Sequence, residues 1–533
     1  MRTAEELGVP RLFNAATYFV DQHVHQGRGD RVAIECGAER LTYDEVYANV
    51  NRFGSALRDR LDVRPEERVL LMLLDTPAFA YAFFGTMKIG AVAVPTNTLL
   101  KPADYRYLLN DSRASVLVVS DALLPLLEAI PRSERGRLRH VIVAGTHAPE
   151  GCLLLGELLA GGKEHLDPES TTRDDAAFWL YSSGSTGAPK ACVHLHHDMV
   201  ICAELFGKGV LGITASDRTF SVAKLFFAYG LGNALYFPFA VGATTILHSG
   251  PPTAADVFDV IERHRPTLFY SVPTGYGMLL AHTREPDFDL SSVRLAVSAG
   301  EALPPALFSR FKERFGIEVL DGIGSTEALH MFIANRPDAV RPGSSGRVVP
   351  GYEARILDEH GADVEDDEIG NLWIAGDSVC ASYWNQHDRS LQTFQGTWLR
   401  TGDKYRRDAE GWYWYAGRSD DMLKVGGQWV SPVEVENTLL SHPDVQECAV
   451  IGNEDRDGLV KPVAFVVLCA GVSEGPERAS DLNTFVRSRL AEFKRPRQIV
   501  FTRELPKTAT GKIQRFKLRE LARQSRAAVT PDR

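Results

Sequence analysis

Apolar positions change their period repeatedly along this chain. Between Arg68 and Gly145, short apolar runs alternate with stretches of helical period. "RVLLMLL", "SVLVVS" and "HVIVAG" read as strands. "AFAYAFFGTMKIG" and "DALLPLLEAI" read as helices, the second capped by Asp121. The alternation resumes after residue 243 with "ATTILH", "AADVFDVIERH", "TLFYSV", "GYGMLLAH", "RLAVSAG" and "PALFSRFKERFG". Continuous β-branched runs between amphipathic helices predict parallel sheets buried on both faces. Residues 340–415 are richer in Gly and in short strand-like pieces such as "YEARILD" and "GNLWIAG", which predicts a small β subdomain.

Charges and glycines cluster at "GRSDDMLKVGGQWVSP" (417–432), and a new short α/β pattern follows: "VEVENTLLSH", "ECAVIG", "KPVAFVVL", "LNTFVRSRLAEF". We place a domain boundary at Ser419–Asp420, giving domains 1–419 and 420–533; the second is long enough for a small unit with its own core. The fold class is therefore α/β: a large N-terminal domain of two parallel-sheet subdomains plus a small β subdomain, then a small α/β C-terminal domain.

At 533 residues the chain exceeds one compact core. Its net charge of −10 argues against a general nucleic-acid binder. The start, "MRTAEELGVP", lacks an apolar signal core, and runs such as "VLLMLL" end well short of membrane-spanning length, so no membrane association and a cytoplasmic location are expected. Seven scattered cysteines without a CxxC pair are expected to be reduced core thiols.

The chemistry begins at "YSSGSTGAPKACVHLHH" (181–197). A loop of small hydroxyl residues and glycines ends at Lys190. The common nucleotide-hydrolase loop has Gly before and Ser or Thr after its lysine; here Pro189 and Ala191 flank Lys190. The composition still suits a phosphate. Glycines let backbone N–H groups converge on an anion, hydroxyls add donors, and Lys190 adds a full charge. The apolar run "AAFWL" just before it reads as a buried strand feeding the loop. The histidines of "HLHH" lack the converging ligands of a zinc site and read as a helix start beside the loop.

Three further stretches carry functional residue types: "DGIGSTE" (321–327), "WLRTGDKY" (398–405) and "LPKTATGKIQR" (505–515). Together, in this order, the four resemble the adenylate-forming superfamily of acyl-CoA synthetases, peptide-synthetase adenylation domains and luciferases. "TNTLLKPADYRYLLNDSRASVLVVS", "AKLFFAYGLGNALYFPF" and "GIGSTEALHMF" look most like benzoate–CoA ligases. The resemblance implies a two-step reaction using ATP, Mg2+ and coenzyme A with an aryl carboxylic acid. The acid is first adenylated with release of pyrophosphate; the CoA thiol then displaces AMP.

The resemblance also implies roles. Ser182, Ser183, Gly184, Ser185, Thr186, Gly187 and Lys190 would cradle the terminal phosphates. Glu327 would hold magnesium, as a hard carboxylate suits a hard cation, and Thr326 would bond the α-phosphate or the reacting carboxylate. Gly300, Glu301 and Ala302, with Asp321, Gly322 and Ile323, match the adenine segments; the family often has an aromatic where Ile323 stands. Asp403 suits the ribose hydroxyls, assisted by Arg418. Lys512 matches the lysine that bridges carboxylate and phosphate while the small, mobile C-terminal domain is docked. Asp420 matches the hinge about which that domain turns. The turn would bring in the loop with Lys424, Gly426 and Gly427 towards the pantetheine arm.

For the acid, the resemblance points to Phe227, Ala228, Tyr229, Gly230, Gly324 and His330; the aromatic walls favour a flat aryl acid. Phe226 reads as core. Ring hydroxyls would meet Tyr229 and His330, or those two would serve only the carboxylate. Two other functions stay open: an aryl-acid adenylating enzyme that loads a carrier-protein thiol, separated by swapping CoA for a carrier, and a non-catalytic nucleotide-binding protein, separated by carboxylate-dependent pyrophosphate exchange. Either a monomer or a homodimer is expected.

Overall fold

Strands Val92–Pro95, Val116–Ser120, Leu268–Ser271 and Leu295–Ser298 bury every residue, as runs covered on both faces must. They belong to two large sheets in a computed structural model that describes residues 1–184, 187–419, 421–425, 428–454, 459–507 and 513–527. One sheet has eight strands. Arg68–Met72 lies between Val92–Pro95 and Val116–Ser120, with His140–Ala144 beyond, all parallel. The other has nine, with Arg218–Ser221, Thr244–Leu247, Leu268–Ser271, Leu295–Ser298 and Val319–Gly324 parallel at its centre. The expected parallel pairing holds inside both sheets and fails at their edges. Ala176–Gly184 pairs antiparallel with Gly187–Leu195, Val319–Gly324 with Met331–Ala334, and Val32–Cys36 with Glu39–Thr42. A five-stranded antiparallel sheet built from Glu353–Leu357, Gly370–Ala375, Phe394–Gln395, Trp398–Arg407 and Tyr413–Arg418 forms the small β subdomain.

Local signals explain several helix ends. Thr42 and Glu45 form a reciprocal capping box on Tyr43–Ser55, and Thr253 caps Ala254–His264. Gly316, at φ 71°, ends Pro305–Phe315. Asp121 does not act as the expected cap. It sits inside a 3-10 turn, Asp121–Leu123, where its carboxylate accepts from the adjacent Ala122 N–H, and the α-helix starts later at Leu124.

After residue 420, Leu423–Val425 pairs with Gln428–Val430, and Val445–Glu454, Val460–Leu468 and Gln498–Phe501 form a separate sheet. Val435, Leu439, Val450, Ala464, Val466 and Leu482 give this region a core of its own. The basic C-terminal stretch is held by ion pairs. Arg515 lies 2.7 Å from Glu436, Lys507 2.7 Å from Glu447, Lys494 2.6 Å from Glu434, and Arg519 pairs with Asp421. Not all the thiols are core: Cys192, Cys202, Cys380 and Cys448 are buried, whereas Cys36, Cys152 and Cys469 are partly exposed, and all seven are free. No helix among the described residues is long and apolar enough to cross a membrane.

A buried charge joins the N-terminal helices. Lys88, wholly inaccessible at the end of Pro77–Lys88, donates to Asp21 Oδ2 at 2.7 Å and to Asn51 Oδ1 at 2.6 Å. Asp21→Ala strands that ammonium without a counter-charge. The expected loss is about 3–5 kcal/mol, read from the urea midpoint; a loss of about 1 kcal/mol or less, as for an exposed pair, would contradict this account of the packing.

Candidate active site

The strands on either side of the hydroxyl-rich loop pair antiparallel, unlike the strand–loop–helix turn of the hydrolases. Ser182 on the outgoing strand sits opposite Lys190 on the returning one. Ser185 and Thr186 lie outside the described residues, as do Asp420, Gly426, Gly427 and Lys512. Two side chains brace the hairpin against helix Pro102–Ser112: Tyr181 donates to Asp111 at 2.7 Å, and Tyr107 donates to the Pro189 carbonyl at 3.0 Å.

Lys190 points at the 325–330 turn. Its Nζ lies 2.7 Å from Glu327 Oε1, and both side chains are nearly buried. Tyr383 completes a triangle: it accepts from Lys190 Nζ at 2.5 Å and donates to Glu327 Oε1 at 2.8 Å. Its ring also lies under the ammonium, 4.1 Å from the centroid. Burial pushes the Glu327 carboxyl up, but the Lys190 charge and hydrogen bond, with the Tyr383 hydroxyl, outweigh it and hold the group below its ordinary pKa. Glu327 is thus ionised and aimed.

The turn is fixed from behind. His194 is hydrogen-bonded at both ring nitrogens, 2.7 Å from Asp198 Oδ2 and 2.8 Å from the Thr326 carbonyl. The Cys380 N–H donates to the Glu327 carbonyl at 2.8 Å, and Ser378 donates to the Ala328 carbonyl at 2.8 Å. Gly324 is required by space: a Cβ there would stand 2.5 Å from the His330 carbonyl. So the "HLHH" histidines do more than start a helix. His194, next to the end of its strand, anchors Thr326, while His197 stands at the N-terminus of Asp198–Cys202 without a side-chain cap.

Asp321 stands at the carboxyl side of the parallel strands, where open α/β sheets bind ligands, whereas Asp403 and Arg418 lie in the antiparallel five-stranded sheet. Ser271, Ser298 and Asp321 stand side by side in register. Asp321 accepts from the Leu303 N–H at 3.2 Å, which joins the 300–302 segment to 321–323. Its other oxygen has no hydrogen-bond partner, and burial raises the pKa to about 8. Ile323 is partly exposed beside it. Asp403 and Arg418 face each other across two strands and meet at 3.2 Å. The Asp403 charge strengthens the protonation of Arg418, and Glu327 adds to it. Lys424 is exposed on Leu423–Val425.

On the acid side, Phe226 is buried against the Phe227 ring, as expected of a core residue. Gly230 leaves no room for a Cβ, which would meet the Lys224 carbonyl at 2.1 Å. Tyr229 spends its hydroxyl on the main chain, donating to the Val297 carbonyl at 3.0 Å and the Ser271 carbonyl at 3.3 Å, so it presents a ring rather than a donor. His330 is packed against Tyr229, Phe206 and Phe237, and is 3.1 Å from Asn233 Oδ1. Burial lowers its pKa to about 3, so the ring is neutral.

Tyr383, the His194–Asp198 pair and the Tyr107–Asp111–Tyr181 buttress were not anticipated. The His/Asp spacing of four was visible in "HLHHD"; nothing local marks Tyr383, which reaches Lys190 from 193 residues away. Among the described residues, His442, Asp444 and Asp481 are the one carboxylate–histidine group with metal-ligand spacing, but Arg478 reaches both carboxylates, at 2.5 and 3.0 Å. That is an ion-pair network in the C-terminal part.

The buried Lys190–Glu327 pair and the Asp403–Arg418 pair across two antiparallel strands suit a nucleotide-binding α/β enzyme. Residues 20–384 match the AMP-binding enzyme family and residues 434–512 the AMP-binding enzyme C-terminal domain, and the chain belongs to this family. It is 48% identical over 518 residues to a benzoate–CoA ligase of Thauera aromatica, covering 97% of this chain and 98% of the relative. It is 46% identical to a 4-hydroxybenzoate–CoA/benzoate–CoA ligase of Rhodopseudomonas palustris, covering 96% and 94%. The crystal structure of an anthranilate CoA ligase in complex with anthranoyl-AMP superposes with a TM-score of 0.94 at 46% identity, covering 99% and 100%.

The buried neutral imidazole gives a pH prediction. The unfolded-state ring takes up its proton near its ordinary pKa of 6.5, whereas the folded ring does so only near about 3. Stability from His330 is thus fully present above pH 6.5 and is lost as pH falls towards 3. At pH 5, His330→Gln should reduce the slope of unfolding free energy against pH by about 1.4 kcal/mol per unit, one proton's worth. Urea melts between pH 4.5 and 6 measure it; an unchanged slope would mean the folded ring is already charged.

Proposed function

We propose that this protein is an ATP-dependent aryl-acid–CoA ligase, with benzoate or hydroxybenzoate as its acid. The observation that carries this is the Lys190–Glu327 pair at the base of the hydroxyl-rich hairpin, 2.7 Å apart and shielded from water. Ligases 46–48% identical to this chain over nearly their whole length carry benzoate, hydroxybenzoate or anthranilate in their names, which supports an aryl acid and CoA as the acceptor.

In the first step a carboxylate oxygen attacks the α-phosphorus of ATP. The new C–O–P linkage forms as the bond to pyrophosphate breaks. Both partners are anionic, so the task of the protein is to neutralise charge in place. Lys190 and the hydroxyls and N–H groups of 182–187 would do this at the terminal phosphates. Glu327 fits magnesium: it is an ionised hard oxygen donor, and one protein carboxylate plus substrate phosphates is that ion's usual set. Magnesium, when bound, would supply positive charge to the phosphate oxygens. Thr326, held through its carbonyl by His194, would meet the α-phosphate or the reacting carboxylate. Asp403, steadied by Arg418, would accept from the ribose hydroxyls. Gly300, Glu301, Ala302, Asp321, Gly322 and Ile323 would border adenine; a largely protonated Asp321 suits that neutral base better than a carboxylate would.

Lys512 would act in this step only, and rotation about Asp420 would then bring Lys424, Gly426 and Gly427 to the pantetheine. In the second step the CoA sulfur attacks the acyl carbon, the bond to AMP breaks, and the thiol proton passes to solvent. Phe227, Ala228, Tyr229, Gly230, Gly324 and His330 would wall the ring. With the Tyr229 hydroxyl committed and His330 neutral, the wall is mainly aromatic surface.

A panel of acids in an ATP- and CoA-dependent AMP-release assay tests this reading. A phenyl ring gains aromatic contacts of about 1 kcal/mol beyond area burial, and an alkyl chain also loses rotamer freedom on being fixed. Benzoate is therefore expected to exceed octanoate in kcat/KM by about tenfold. A preference for octanoate would overturn the aryl assignment, and no acid-dependent AMP release would overturn the ligase.

A further inference from the structure

Under the ligase reading, on which this proposal rests, the triangle of Lys190, Glu327 and Tyr383 poses an electrostatic problem. Lys190 is assigned to phosphate and Glu327 to a cation, yet each already neutralises the other. Both are nearly buried, so neither can let go without a replacement: an unpaired charge in such a place is costly. A nucleotide phosphate group with its divalent cation supplies both replacements at once, an anion for Lys190 and a cation for Glu327.

We propose that Lys190 and Glu327 form a self-neutralised pair that exchanges partners when the magnesium–nucleotide enters, and that Tyr383 is the positioning residue that makes the exchange possible. The geometry gives Tyr383 a place in both states. In the closed pair, Glu327 Oε1 has two donors, Lys190 Nζ at 2.7 Å and the Tyr383 hydroxyl at 2.8 Å. When Lys190 turns to phosphate, the hydroxyl is the remaining one of these two donors. It keeps Oε1 satisfied and leaves the second oxygen to the cation. Lys190 likewise keeps the Tyr383 ring beneath it, 4.1 Å from the centroid, whichever anion it faces.

Tyr383 is held rigidly enough for this. It is 3% exposed and pairs in register with Cys192, two residues from Lys190. Its N–H donates to Ser390 Oγ at 3.0 Å, and its ring packs on Phe394. The strand–turn carrying it also holds Glu327, through the Cys380 N–H. One short segment, 380–383, thus positions both members of the pair.

The hydroxyl is one of two donors to Glu327 Oε1 in the closed state and the one left in the open state, so its loss costs the open state more. A ligand can shift an equilibrium only through such a difference. The test is calorimetric titration with the magnesium complex of the α,β-methylene analogue of ATP, without carboxylic acid. Wild type, Tyr383→Phe, Glu327→Gln and the double variant are compared. Tyr383→Phe keeps the ring and its packing, and is expected to melt close to wild type. It should weaken the magnesium–nucleotide about tenfold, as loss of a hydrogen bond to a charged group does. In the Glu327→Gln background the same change should matter by less than about twofold, because the hydroxyl acts through the Glu327 charge and the two losses do not add. Unchanged or tighter binding in Tyr383→Phe, or an equal loss in both backgrounds, overturns the proposal. Failure of the wild type to bind the analogue overturns it together with the nucleotide-site reading, and so separates the two failures.

Discussion

Two opposite charges brought out of water must hold each other, and the site is built around that constraint. Lys190 comes from a hairpin of the eight-stranded sheet, and Glu327 from the turn between two strands of the nine-stranded sheet. Their contact, with the His194–Thr326 hydrogen bond beside it, ties the two sheets together at the site. A shift of about one ångström in either would leave a charge stranded, which explains the density of supports around them. His194 and Asp198 fix the turn from one side, Ser378 and Cys380 from another, and Tyr107 and Asp111 hold the hairpin. These supports are mostly hydrogen bonds to backbone carbonyls, so they set position without adding charge to the site.

Burial divides the site electrically. On the side proposed for phosphate, Lys190 holds the Glu327 carboxyl below its ordinary pKa, and Asp403 pairs with the Arg418 guanidinium. At Asp321 and His330, proposed to border the base and the acid, burial without a counter-charge has the opposite effect: Asp321 rises to about 8 and His330 falls to about 3. The same desolvation acts in both halves, and the outcome depends on whether a partner charge is within reach. In the proposed reading, this would let a multiply charged triphosphate and a flat, apolar ring sit in neighbouring spaces without exchanging places.

Much of this was legible in the chain. Buried strands such as "SVLVVS" and "RLAVSAG" stand out because both faces are covered and nearly every position is apolar or small. The four loops carry their chemistry in their composition, and their order gives the family. The antiparallel return of the hairpin was not legible, because Gly and Ser permit either a turn into a helix or a turn back, and "KACVHL" reads as apolar in both cases. Tyr383 escaped for a different reason. Its function is a contact made across 193 residues by sheet pairing, and a tyrosine between Ser382 and Trp384 has no local signature. His194 lay in plain view, but its role depends on the Thr326 carbonyl, which only the fold brings near. Asp121 shows the converse: a residue of capping type whose backbone tightened into a 3-10 turn instead.

If the buried pair is the centre of the chemistry, its members are needed for adenylation itself and not for folding. The direct measurement is benzoate-dependent exchange of labelled pyrophosphate into ATP, run on wild type, Lys190→Met and Glu327→Gln alongside their melting curves. Exchange by the wild type is expected, with a fall of about 100-fold or more in each variant, the scale seen when one electrostatic partner of a developing charge is removed. Variants that remain folded and exchange at rates within a few-fold of wild type would contradict the account.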